Sequence, residues 1–185
     1  MLIHFLTREG SSVDIQPYDL PCDTWLEVMG RLMLAWDGQW FLKVMEEFGL
    51  EAAMRLNTRV RLSFGRIEMR TVLAALGKPR ADDLTDALRI IFTYSRVFLG
   101  NRMEGDYRVL PEGVEITVSS CPVFENARRA NLERCDQACV GCPDLWRTWF
   151  AVLLPEEEIE VAALARMGMG DPSCRYLVTE KRGGA

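Results

Sequence analysis

Cys135, Cys139 and Cys142 fall within eight residues as a C-x3-C-x2-C run. Thiolates are soft ligands, and several held close together repel one another unless a cation neutralises them. Cys135 and Cys139, four apart, share one face of a helical turn. Gly141 lets the chain fold back so that Cys142 converges with them, and Pro143 stops the backbone from continuing. This geometry suits one metal ion, zinc before an iron–sulfur cluster. The fourth ligand is open. A straight helix between Cys121 and Cys135 would hold them roughly 20 Å apart, so Cys121 shares a metal only if that helix breaks early, for example at Asn131. Cys174 is reachable through the fold but not by local spacing, and an open position for water or substrate is a third arrangement. Against these stand thiols that pack as small hydrophobes, or that act as redox or nucleophilic groups.

Other residues carry chemistry on weaker patterns. Asp37 lies between Trp36 and Trp40. A carboxylate among indoles is a candidate general acid or base with a raised pKa, and its plainer reading is a helix N-cap. Glu68 and Arg70 lie two apart and do not face each other on a helix, so either could reach inward to a ligand amine or carboxylate. The alternative is exposed helix charge. Trp36 and Trp40, with the methionines at helical spacing, are either core or the lining of an apolar pocket between helices. His4 is the sole histidine, on a terminal arm, which excludes a multi-histidine metal site and disfavours a Cys-His nucleophile pair. No nucleophile elbow, P-loop or dinucleotide fingerprint is present.

The elements that must position these groups read as one mixed α+β domain over 1–185, with 1–100 mainly helical. Thr24 and Glu27 have capping-box spacing for a first helix, whose apolar stripe is Trp25, Met29, Leu32 and Met33. Asp37 and Gly38 interrupt it. Trp40, Phe41, Val44, Met45 and Phe48 begin a second stripe that Gly49 ends. A long helix then runs from about Leu50 to Leu76, with Ala53, Val60, Phe64, Ile67 and Val72 marking its buried side and Gly65 a weak point. Gly77 and Pro79 close it. Asp82 or Asp83 starts the next helix, with Leu84, Leu88, Ile91 and Phe98 inward, and Gly100 ends it. Alternation at Tyr107 and Val109, a turn at 111–113, and alternation at Val114, Ile116 and Val118 make a hairpin. Pro122 opens a helix reaching about Glu133. Asp144 caps a short helix carrying Trp146, Trp149, Phe150 and Leu153, stopped by Pro155. Strands at 159–163 and 174–178 follow, and Met1 to Leu6 reads as a short strand or docked arm. The C-terminal half thus supplies a small antiparallel sheet on which the helical half packs.

Composition bounds the function. The 185 residues are 49% hydrophobic and 26% charged, enough for one sizeable core and too structured for disorder. A net charge of −5 lacks the basic face of a nucleic-acid binder. Arg128, Arg129 and Arg134 lie beside Glu125 and Glu133, as on a solvated helix face. No targeting or membrane-spanning segment is visible, so a cytoplasmic protein with no membrane partner is expected, and six cysteines there are no disulfide framework.

Some stretches carry a resemblance. Ala35 to Phe41, Glu46 to Gly49, Glu51 to Met54, Ile67 to Arg70, Cys121 to Val123 and Ala127 to Arg129 look like an uncharacterised family of anaerobe and archaeal proteins, across roughly 23–150. Gly170 to Tyr176 is similar to the closing strand motif of 4-vinyl reductase domains and of the family named after L-2-amino-thiazoline-4-carboxylic acid hydrolase. The resemblance implies helices packed on an antiparallel sheet, a ligand pocket between them, and Cys121, Cys142 and Cys174 meeting at one site. The cysteine spacing also occurs in radical-SAM enzymes, but this chain is too short for their barrel. The function expected is small-molecule binding with a cysteine-ligated zinc or iron–sulfur cluster. The alternatives are a hydrolase opening a C–N or C–S bond in a small cyclic substrate, with Asp37 or Glu68 handling protons, and a non-enzymatic homodimeric interaction module.

Overall fold

A computed structural model describes residues 18–132 and 135–181, with the side chains of 101 and 137–139 left out. His4 and the expected N-terminal strand lie outside the described residues. The described chain is α+β. Helices α1 (Cys22–Phe48), α2 (Leu50–Leu76) and α3 (Leu84–Leu99) precede a hairpin of β1 (Glu104–Leu110) and β2 (Gly113–Ser120). Then come α4 (Pro122–Arg129), α5 (Cys135–Val140), α6 (Cys142–Leu153), β3 (Ile159–Ala165) and β4 (Cys174–Glu180). The sheet is antiparallel throughout, in the order β1-β2-β4-β3.

One face of the sheet carries the core. Val114, Ile116 and Val118 alternate inward on β2, and Cys174, Tyr176 and Val178 on β4. In the same cluster lie Trp146, Trp149, Phe150 and Leu153 of α6, Leu88, Ile91 and Tyr94 of α3, and Met69 and Leu73 of α2. Asp83 caps α3 by accepting from the Asp86 N–H at 2.8 Å. Gly77 ends α2 in the left-handed conformation that glycine reaches without penalty. No described helix is long and apolar enough to cross a membrane.

The helices depart from the expectations in four places. α1 runs unbroken through Asp37 and Gly38, so Asp37 is a mid-helix residue and not a cap. It begins at Cys22 with no side-chain cap, so Thr24 does not start it. α4 stops at Arg129, and Asn131 turns the chain at φ 52°, a conformation asparagine tolerates better than most residues. The straight helix from Cys121 to Cys135 therefore does not exist. Asp144 lies inside the first turn of α6, which starts at Cys142.

A further departure concerns burial. α2 buries Ala53, Gly65, Glu68, Met69 and Leu73, whereas Val60, Phe64 and Ile67 are exposed. α1 buries only Gly30 and Leu34, and Trp25, Met29 and Leu32 are exposed. On both helices the apolar periodicity marks a face that the chain's own core does not cover. Gly65 explains the choice on α2. A Cβ there would stand 2.8 Å from Leu145 Cδ1 and 3.3 Å from Trp149 Nε1, so the missing side chain lets α6 press against α2.

Candidate functional site

Where α2, α3 and α6 meet the inner face of β2 and β4, the core opens into a cavity of about 170 Å³. Three cysteines reach it from separate segments. Cys121 lies at the junction of β2 and α4, Cys142 is the first residue of α6, and Cys174 is the first of β4. The break at Asn131 makes this possible, because it allows α5 and α6 to return toward the start of α4.

Aromatic rings supply much of the remaining lining. Trp146 stacks on Tyr176 at 5.8 Å between ring centroids, and Tyr94 stacks on Phe98 at 5.6 Å. Trp149 meets Tyr94 edge-on at 5.5 Å. Behind these rings lies Glu68, the buried acid of α2. Its carboxylate accepts from the Tyr94 hydroxyl and from Trp149 Nε1–H, the latter at 2.7 Å. Arg61 Nη1 stands 3.6 Å from it. The buried carboxylate is thereby compensated by two hydrogen-bond donors and the Arg61 guanidinium, as burial requires. Glu68 is not among the cavity-lining residues; it fixes two that are.

Two charged side chains do face the cavity. Arg61 lies over the Phe98 ring, 5.5 Å from its centroid. Asp37 faces both this cavity and an adjoining one of about 340 Å³, with Met54, Asn57 and Val123 also common to both. Burial raises the Asp37 carboxyl above the usual carboxylate value, and the Arg61 charge opposes the shift. Among the described residues Asp37 has no hydrogen-bond partner.

Burial holds Cys142 and Cys121 neutral. Burial, with the Cys121 and Cys174 sulfurs adding to it, pushes Cys142 up to about 11, against a partial opposing pull from Tyr176. Cys121 is also raised by burial, while the N–H groups of Phe124 and Val123 pull it down. The Cys174 sulfur accepts from the Met167 N–H at 3.3 Å.

The remaining candidates lie elsewhere. The Cys135 thiol donates to the Leu132 carbonyl at 3.3 Å and does not line the cavity. The Cys139 side chain lies outside the described ones. Trp36 and Trp40 are exposed on α1, Arg70 is exposed on α2, and none of them lines this cavity. Among the described residues no three Cys, His, Asp or Glu side chains form a group able to hold a metal ion. Sequence reasoning missed Arg61 and Tyr94 as site residues. The available signal was a charged residue in phase with Glu68 and a hydroxylated one in phase with the α3 core positions Ile91 and Phe98.

No protein-family model matches the chain, and comparison with curated proteins finds no significant relative.

Proposed function

We propose that this protein binds a small cyclic molecule in the cavity between its helices and its sheet. The carrying observation is that three thiols and the Asp37–Arg61 pair open onto one aromatic-walled space. A cavity of roughly 150 Å³ accepts a single six-membered ring, so the inner chamber fits one ring. The stacked walls take its faces, and Asp37 and Arg61 supply the few convergent polar contacts that orient a ligand in an apolar site. The resemblance to 4-vinyl reductase domains is consistent with a pocket in this place.

A fragment set of single-ring compounds, with and without amine or carboxylate groups, tests the reading. Binders raise the melting temperature and quench Trp146 and Trp149 fluorescence, and Trp149→Leu reduces the quenching to the Trp146 share. The absence of any binder at millimolar concentration ends the reading.

A second reading keeps a metal, zinc before an iron–sulfur cluster. That Cys121, Cys142 and Cys174 line one cavity favours it, since a soft cation can replace thiol protons and bind the thiolates so formed. The described residues do not form a ligand group for it. Metal analysis of protein purified without chelators decides. One zinc per chain that is lost in Cys142→Ser supports this reading, and trace metal alone removes it. Turnover of a cyclic C–N or C–S substrate, abolished by Asp37→Asn, would extend the first reading to a hydrolase.

A further inference from the structure

The space behind Asp37 does not end at the inner chamber. An outer chamber of about 340 Å³ adjoins the inner one of about 170 Å³, and Asp37, Met54, Asn57 and Val123 line both. The inner chamber alone falls below the roughly 300–1,000 Å³ of ordinary ligand sites, and the outer one brings the space into that range. The four shared residues come from α1, α2 and α4 and form the neck between the chambers.

The two ends differ in chemistry. The stacked rings belong to the inner chamber, whereas Asn126 and Arg129, three apart on α4, line the outer one alone. The Arg129 side chain is 77% exposed, and its Nη2 stands 3.9 Å from Glu125 Oε2, beyond hydrogen-bond distance. Arg129 therefore marks the mouth and keeps its donors for an incoming anion. From Val123 at the neck to Arg129 at the mouth, α4 rises about 9 Å. At the neck itself, Asp37 feels burial and the Arg61 charge but accepts no hydrogen bond from the described residues. A buried carboxyl in that position calls for a donor.

We infer that the two chambers hold one elongated ligand, with a single ring in the inner chamber, an N–H donor beside the ring at Asp37, and a carboxylate about 9 Å further out at Arg129. This rests on the ring-binding reading above and extends it to a ligand class, the N-linked aryl acids. The reverse orientation fits less well. The Arg61 guanidinium inside is already drawn to Glu68, 3.6 Å away, and the outer chamber has no stacked rings.

Calorimetry with benzylamine, 6-(benzylamino)hexanoic acid and the methyl ester of that acid tests it. The acid binds about 10-fold tighter than benzylamine or better, because its chain buries methylenes in the outer chamber. The ester gives up about threefold, as for a solvent-exposed ion pair, and that difference disappears in Arg129→Gln. Ala130→Trp, which fills the outer chamber from an exposed position, brings the acid down to the affinity of benzylamine. Asp37→Asn weakens the acid and benzylamine alike. Benzylamine binding with no gain for the acid overturns the elongated site and leaves the ring reading standing. Failure of both to bind overturns the two together. An acid preference that persists in Arg129→Gln, or a gain that persists in Ala130→Trp, overturns the placement of the chain and its anion.

Discussion

Cys142 is neutral because burial and two neighbouring sulfurs raise its thiol to about 11 from an ordinary 9.0. Only the thiolate attacks an alkylating agent. At pH 8 a thiol of pKa 11 is about one part in a thousand ionised, against about one in ten at pKa 9. Iodoacetamide should therefore label Cys142 about 100-fold more slowly than a free thiol of pKa 9, with the rate still climbing at pH 10. Peptide mapping after timed labelling measures both. Equal rates at pH 8 would show that Cys142 is not shielded. Glu68 makes a second prediction at this scale. Glu68→Ala leaves the Tyr94 hydroxyl and the Trp149 N–H buried without their acceptor, along with part of the Arg61 charge. The expected cost is about 3 kcal/mol in urea denaturation, and Glu68→Gln, which keeps one acceptor oxygen, should recover part of it. A Glu68→Ala protein as stable as the parent would mean the network holds nothing together.

At the scale of elements, helix contacts decide where the functional side chains go. Gly65 is a point of tight approach between α2 and α6, which carries Trp146 and Trp149 into the cavity wall. Gly65→Ala places a methyl 2.8 Å from Leu145 Cδ1. Helix propensity favours the change by about 1 kcal/mol, while overpacking costs about 1–3 kcal/mol. The net expectation is a modest loss of stability together with displacement of Trp149, seen as a shifted indole resonance in two-dimensional NMR. An unmoved indole and a raised melting temperature would refute the tight contact. The same contact shows what was legible in the sequence. Turn and cap residues such as Asp83, Gly77 and Pro122 specify the ends of elements locally, and those ends read correctly. Periodicity found the apolar faces of α1 and α2 but not that Gly65, Glu68 and Met69 would be the buried side of α2. A glycine that admits a neighbouring helix has no apolar signature of its own. Asn131 was legible only as a conditional break, and that break lets Cys121 and Cys142 share a wall while the local C-x3-C-x2-C spacing drew the eye to Cys135.

For the whole molecule, buried acidic groups on different elements couple stability to pH in one direction. Cys142 on α6, Cys121 beside α4 and Tyr94 on α3 are all raised above their ordinary values, each chiefly by burial. A group whose folded pKa is raised keeps its proton longer in the folded state than in the unfolded one. Its contribution is fully present below the unfolded pKa and is lost as pH rises through the folded pKa. For Cys142 that window runs from about 9 to about 11. Tyr94 extends the loss further, since its ordinary value is 10.0 and burial beside the Glu68 charge raises it. Because all three groups line one cavity, ionising any one of them places charge where little water can reach it. Urea midpoints should thus be nearly constant from pH 7 to 8.5 and fall steadily above 9. Cys142→Ser, whose hydroxyl does not ionise in this range, should flatten the part of the decline between about 9 and 11. Tyr94→Phe should flatten the decline from about pH 10 upward, at the cost of one hydrogen bond to Glu68. A midpoint that holds level to pH 11 in the parent protein would mean that water already reaches these groups, and that the cavity is an open cleft rather than a chamber able to enclose a ring.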